Sequence, residues 1–356
     1  MIFSIIFSLT GFILSALLSI FIFPFIIRSS VASGMTTVDV HKKGRPIIPE
    51  LGGLVSIIAF IFSFLTITVI LVFFYNLIER NSNLYITFTK EFGEFLSIIP
   101  LYLGGLLAVV IAGLIGLIDD IFGHNMGWRE KIFLGFLPSF PLIILEIENN
   151  IGGIRLGILY SLVVIPLGMN FAFNSYNMLA GFNGLETGLG IISFATIFFV
   201  SLWINNPIIL IFSSCMLGTL IVLFYYNKYP AKVLIGNSGT LMLGAALFSV
   251  IVIGDIETLA IGIFFLYFIN FVMFFFYLRD SRTDLGNGRK KKLADVDEDE
   301  NLTPPSPWTI YWIIPFYRKN TKEYTNVMYL LIIHFIICSI SALLFFFLNP
   351  NTFSFT

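Results

Sequence analysis

Residues 2–27 read IFSIIFSLTGFILSALLSIFIFPFII, with no acid or base until Arg28 closes the run. One helix of that length exceeds the roughly 20 apolar residues needed to cross a bilayer core. Comparable windows recur at 52–78, 98–118, 131–147, 156–174, 187–204, 207–226, 238–254, 257–278 and 325–348. The windows at 187–204 and 207–226 are separated only by Asn205, Asn206 and Pro207, a turn signal. The pattern predicts an all-α, polytopic membrane protein with about ten transmembrane helices. Composition agrees: of 356 residues, 57% are hydrophobic and 12% charged, against roughly 25% charged in a soluble domain. No basic residue precedes the first run and no small-residue cleavage site follows it, so it reads as a retained helix rather than a signal peptide. Cys215 and Cys338 lie inside apolar windows and read as packing residues, not as a disulfide or a metal pair.

A formal net charge of -1 gives no indication of a nucleic-acid partner. The placement of the charges is more informative than their sum. Connections after the first, third, fifth, seventh and ninth windows hold Arg28, Lys42, Lys43, Arg45, Arg129, Lys131, Lys228, Lys232 and every base between Arg279 and Lys322. The other side holds only Arg80, Lys90 and Arg155. Positive residues are retained in the cytoplasm, so this asymmetry predicts external or lumenal termini and a cytoplasmic face at those five connections. The chain then reads as one transmembrane domain, 1–356, with a cytoplasmic loop at about 279–324. That loop runs from basic (Arg289 to Lys292) through acidic (Asp295, Asp297 to Glu300) to proline-rich (Pro304, Pro305, Pro307). It fits either a solvated, mobile segment resting on anionic lipid headgroups or a lid whose arginines hold phosphates.

A charge at the bilayer centre costs roughly 2.5–3.5 kcal/mol even on permissive scales, so chemistry should show as polar breaks in the apolar pattern. Four breaks fall at the same set of window ends. Asp119 and Asp120 adjoin at the end of the third window. Neighbouring carboxylates invite a cation or a shared proton, and they sit badly at a helix C-terminus. Asn170, Asn174 and Asn177 repeat at helical spacing on one face and lead into Gly181, Asn183, Gly184 and Glu186. The amide stripe fits interhelical hydrogen bonding or, with the glycines and Glu186, a nucleotide or metal site. Gly236, Asn237, Ser238, Gly239 and Thr240 precede or open the eighth window, as a phosphate or metal loop or as a plain helix cap. His41 to Glu50 carries Lys42, Lys43 and Arg45 ahead of Pro46 and Pro49; topology-setting charge accounts for the lysines but not for Glu50. Lys131 reads alternatively as a snorkelling interfacial base. His124 and His334 call for no role, and nothing supports zinc or acyl-transfer chemistry.

These motifs together resemble the polyprenyl-phosphate N-acetylhexosamine-1-phosphate transferases, a family of ten-helix membrane enzymes. The resemblance runs from about residue 40 to 275 and rests on Gly44 to Glu50, the Asp119–Asp120 pair, Asn174 to Glu186 and Gly236 to Thr240. The Ala180-Gly-Phe-Asn-Gly-Leu-Glu186 form is similar to the dolichyl-phosphate branch of eukaryotes and archaea. The resemblance implies transfer of a sugar-1-phosphate, N-acetylglucosamine-1-phosphate first among candidates, from a UDP-sugar to polyprenyl or dolichyl phosphate. UMP would leave, with Mg2+ (or Mn2+) as cofactor.

Carried over residue by residue, Asp119 and Asp120 would order the acceptor phosphate, a catalytic lysine or the metal, and Lys131 would contact the diphosphate. Asn177, Asn237 and Asp120 would lie at the metal. Glu50, Asn174, Asn177, Gly181 and Asn183 would hold uracil and sugar, with Glu186 supporting their loop, and Arg282 stands for the arginines of the last loop. The resemblance also implies membrane lipids as surroundings and a homodimer as an assembly to test. The setting would be an archaeal-type cell membrane or the endoplasmic reticulum. One departure matters: the family carries an aspartate where this chain has Asn237, so that the resemblance implies either a weaker metal site with reduced or lost activity or compensation by another carboxylate. A rival reading of the composition alone is a secondary transporter, whose polar groups would gather near the bilayer midplane.

Overall fold

The computed structural model describes residues 1–349 apart from 79, 81, 94, 125, 148–149, 152–153 and 284–294. Among the described residues it is helical throughout, with only two-stranded hairpins besides. The helices are α1 (Ile2–Ala32), α2 (Gly52–Leu77), α3 (Asn83–Phe92), α4 (Phe95–Ile121), α5 (Trp128–Leu134), α6 (Phe140–Ile144) and α7 (Ile165–Met178). They continue as α8 (Leu185–Trp203), α9 (Pro207–Asn227), α10 (Gly236–Gly254), α11 (Glu257–Ile263), α12 (Phe265–Thr283), α13 (Ile310–Tyr317) and α14 (Glu323–Leu348).

Among the described residues seven helices are long and apolar enough to cross a membrane, or eight when α11 and α12, bent by 57°, count as one span. The windows at 131–147 and 156–174 are helical as well, but in pieces. The first divides into α5, a 3-10 turn at Leu137–Ser139 and α6; the second opens with a π-helical turn at Tyr160–Val164 that runs into α7. Pro138, Pro141 and Pro166 stand at these junctions, where a missing N–H and a ring clash interrupt the helical ladder.

The polarity of α1 is that of a helix in lipid. Ser4, Ser8, Gly11, Ser15 and Ser19 face inward while Phe21 and Ile2 lie exposed. Small residues let backbones approach, and hydroxyls then bond across the contact: Ser19 Oγ donates to Thr219 Oγ1 of α9 at 2.8 Å. At the centre stands α10, buried along nearly its whole length against α4, α7 and α2. Glycine allows that closeness. A Cβ on Gly116 of α4 would lie 2.3 Å from the carbonyl oxygen of Asn237, and one on Gly53 of α2 would lie 2.1 Å from the nitrogen of Gly239.

Two connections fold back over the end of the bundle where α10 begins. Strands β1 (Thr36–Val38) and β2 (Ile47–Pro49) pair antiparallel with Thr37 opposite Ile48. The segment from Asp295 to Lys322 forms a hairpin and then α13, whose Tyr311 and Trp312 are buried. The Ile310 N–H donates to Asn270 Oδ1 at 3.0 Å, and Asn326 Nδ2 donates to the Tyr311 carbonyl at 2.7 Å. The solvated-loop expectation is thus corrected over 295–322, where aromatic burial outweighs the flanking charge. Residues 284–294, with the run of bases from Arg289, lie outside the described residues, and so does the side chain of Arg282.

Candidate active site

The site is assembled at one end of the bundle. The end of α4 supplies the acidic pair, and each carboxylate has a different task. Asp119, almost fully buried, receives Lys131 Nζ at 2.8 Å, Asn237 Nδ2 at 2.8 Å and the Met126 N–H at 2.9 Å. Asp120 accepts the N–H groups of Asn237 and Ser238 at 2.7 and 2.9 Å, so a side chain from α4 caps the free N-terminus of α10. That pairing suits both partners: an anion meets orphan N–H groups at the positive end of a helix dipole.

Asn237 bridges Asp119 and His124, its Nδ2 standing 2.9 Å from His124 Nδ1. The other ring nitrogen, Nε2, lies 3.0 Å from Glu50 Oε2, and this contact with Glu50 raises the His124 pKa above its ordinary 6.5. His124 therefore belongs to the site, contrary to the sequence expectation, because its partners come from 74 and 113 residues away along the chain. Ligand atoms of Glu50, Asp120 and His124 all lie within 4.8 Å of one another. Two carboxylates and an imidazole at that spacing form a donor set for a divalent cation. Asn177 stands on the next face, its Oδ1 accepting the Thr240 hydroxyl at 2.8 Å.

These groups border a cavity of about 560 Å³ whose lining includes Glu50, His124, Lys131, Asn177, Asn237 and Thr240 together with Asp39, His41, Gly181, Asn183, Glu186 and Asn227. Of the residues expected at a site, Glu50, Asn177, Gly181, Asn183, Glu186, Asn237 and Lys131 line this cavity, while Asp119 and Asp120 stand directly behind it. Asn174 does not line it. Its Nδ2 bonds Asn170 Oδ1 at 3.0 Å, and Asn170 Nδ2 in turn reaches the Ile132 carbonyl. Asn170 thus joins α7 to α5 and Asn174 bonds back to it within α7, while of the three amides Asn177 faces the cavity.

Side chains take three N–H groups of the glycine-containing turn between α7 and α8. Gly181 N–H donates to Glu186 Oε1 at 2.6 Å, Asn183 N–H to Glu323 Oε1 at 2.6 Å and Gly184 N–H to Asn227 Oδ1 at 3.1 Å. Lys42 is another correction: instead of a topology charge in solvent, it is buried and paired with Glu323 and with Asp39, 3.4 Å away. Asp39, Asn227 and Glu323 carried no signal in the sequence, since each lies in an ordinary loop or helix end.

A helical membrane protein whose acids, amides and one lysine converge on an open cavity at the bundle end has the groups to hold a polar ligand or a cation there. Residues 102–255, a stretch that takes in the acidic pair, the turn at 181–186 and the start of α10, match the model of glycosyl transferase family 4. A Saccharolobus solfataricus protein provisionally named UDP-N-acetylglucosamine–dolichyl-phosphate N-acetylglucosaminephosphotransferase is 28% identical over 70% of this chain and 71% of its own. A provisionally named glycosyltransferase of Methanocaldococcus jannaschii is 35% identical over 59% of this chain and 56% of its own. The phospho-N-acetylmuramoyl-pentapeptide-transferase of Limosilactobacillus reuteri is 35% identical over 41% and 49%. These matches support a transferase, and they support the family and branch indicated by the motifs: the polyprenyl-phosphate N-acetylhexosamine-1-phosphate transferases, on the dolichyl-phosphate side.

Proposed function

We propose that the chain transfers an N-acetylhexosamine-1-phosphate, N-acetylglucosamine-1-phosphate first among candidates, from a UDP-sugar to polyprenyl or dolichyl phosphate at the cytoplasmic membrane face. This would be the first membrane step in building a lipid-linked glycan. The observation that carries the reading is the convergence of Asp119, Asp120, Lys131, Asn177 and Asn237, from four helices, at one cavity at the bundle end.

In the reaction an oxygen of the lipid phosphate attacks the phosphorus that bears the sugar. The oxygen bridge between the donor's two phosphates breaks, and UMP carries away the bridging oxygen and its electrons. The acceptor is already anionic near neutral pH, so positioning and charge stabilisation supply most of the rate. Lys131, held against Asp119, offers a fixed cation to the diphosphate. Asp120 keeps α10 in register, which sets where Asn237 and Thr240 stand. Glu50, Asp120 and His124, flanked by Asn177 and Asn237, fit a divalent cation, with two carboxylates offsetting the missing charge at position 237. Bound there, Mg2+ or Mn2+ would neutralise charge on the donor phosphates. The polar groups gather at the bundle end rather than its middle, which disfavours a transporter.

The test is UMP release by the purified protein with UDP-N-acetylglucosamine, dolichyl phosphate and Mg2+. Asp119→Asn and Asp120→Asn are expected to lower kcat by at least about 100-fold, the scale of losing a preorganised charged group. Near-normal release from both variants would remove these assignments.

A further inference from the structure

Four side chains that contribute nothing to the acidic pair form a separate buried network, two of whose members, Asp39 and Asn183, line the cavity. Asp39, Lys42, Asn183 and Glu323 are 6%, 7%, 3% and 2% exposed. They come from three distant parts of the chain: the connection between β1 and β2, the turn between α7 and α8, and the first residue of α14. Lys42 Nζ pairs with Glu323 Oε2 and lies 3.4 Å from Asp39 Oδ2, with its ammonium 4.5 Å above the Tyr229 ring. Each carboxylate then takes one donor of Asn183. Glu323 Oε1 accepts its backbone N–H at 2.6 Å, and Asp39 Oδ2 accepts its side-chain Nδ2 at 2.8 Å.

Such a network is a poor device for stability alone, because two carboxylates share one ammonium and the desolvation of all three opposes the attraction between them. It is well suited to fixing a conformation. The turn holding Asn183 is flanked by Gly181 at φ 148° and Gly184 at φ 82°, conformations that lack the support of a regular ladder. Its N–H groups at 181, 183 and 184 depend on carboxylate and amide oxygens of other side chains. Of these supports, only Glu323 comes with a partner, Lys42, that ties it to the β1–β2 connection.

We propose that Asp39, Lys42 and Glu323 are positioning residues for the sugar-nucleotide donor, locking Asn183 and its turn in the shape that closes the cavity. The inference rests on the transferase reading above and extends it to residues outside the acidic pair. Asp39 lines the cavity itself, whereas Lys42 and Glu323 act through Asn183.

Steady-state kinetics of the full-length protein in dolichyl-phosphate proteoliposomes, varying each substrate in turn, test the network. Removing one hydrogen bond to a charged group from the turn corresponds to about a tenfold change. Glu323→Ala is therefore expected to raise KM for UDP-N-acetylglucosamine about tenfold, with kcat and KM for dolichyl phosphate changed far less. Glu323→Gln keeps an oxygen for the Asn183 N–H and is expected to restore most of the loss. Asp39→Ala removes the other Asn183 contact while leaving the Lys42–Glu323 pair, and it reads the same parameter should Glu323→Ala not be recovered folded. An active wild type with donor KM unchanged in the folded alanine variants overturns this inference alone. So does a fall in kcat and a rise in both KM values together. A wild type that turns over no UDP-sugar overturns the transferase reading and this inference with it.

Discussion

At the scale of single residues, the site is a chain of charge compensations. Asp119 is buried with three donors, of which Lys131 brings the charge. Breaking a buried pair by removing one member costs about 3–5 kcal/mol, because the other charge stays behind unpaired. Lys131→Met is accordingly expected to lower both activity and thermal stability, while adding Asp119→Asn to it recovers stability without recovering turnover. Thermal unfolding followed in detergent, beside UMP release, checks this; equal destabilisation in the single and double variants would count against the pairing. Asn237 belongs to the same account. Its amide donates to Asp119 and reaches His124 at once, which an aspartate at that position could not do without setting two carboxylates 2.8 Å apart. The amide therefore fits the surroundings this chain has, and the two other carboxylates at the site, Glu50 and Asp120, remain to meet a cation.

At the scale of elements, the decisive contact is between α10 and the two helices that flank its first turn. Gly116 of α4 and Gly53 of α2 let the backbones touch, and Asp120 then reaches the free N–H groups of Asn237 and Ser238. A methyl group at 116 would need space now filled by the Asn237 carbonyl and, at 2.6 Å, by Ser238 Cα. Backbone cannot yield as a flexible side chain can. Overpacking of this kind costs about 1–3 kcal/mol, and here the displacement falls on a site residue. Gly116→Ala is expected to lose at least about tenfold in kcat, equivalent to 1.4 kcal/mol, at a modest cost in thermal stability. A variant with full turnover would show that the start of α10 does not set the site. The acidic pair, the amide stripe and the glycine motif were all legible in the sequence because each interrupts an apolar run. Which amide of the stripe faces the cavity was not. Asn170, Asn174 and Asn177 share one helical face, and only the packing of the neighbouring helices decides that Asn170 ties to α5, Asn174 bonds back to Asn170 and Asn177 lines the cavity.

At the scale of the whole molecule, the charge asymmetry and the geometry agree on two unlike ends. The cavity, the β1–β2 connection and the hairpin that begins at Asp295–Val296 gather at one end; the start of α1, where the Ser4 N–H donates to Glu91 at 2.8 Å, marks the other. We propose, from the positive-inside rule, that the cavity end faces the cytoplasm. Cys215 and Cys338 are both buried, so a membrane-impermeant maleimide should find little background. Thr87→Cys on α3 is expected to react in intact cells and Glu298→Cys only after permeabilisation. The reverse pattern would invert the topology and put the cavity on the outer face.

The class of protein was settled by the sequence without help from the fold: apolar runs of bilayer length are a local property, and so is the sign of the charge at their ends. The motif residues also announced themselves, since a polar group within such a run has few reasons to be there. What only the tertiary structure decided was partnership. Lys42, Asp39 and Glu323 look like ordinary loop charges, and His124 like a spare histidine, until helix packing brings together segments as far apart as 281 residues. Burial and hydrogen bonding of that kind depend on which backbones can touch, and the spacing of residues along one chain does not encode it.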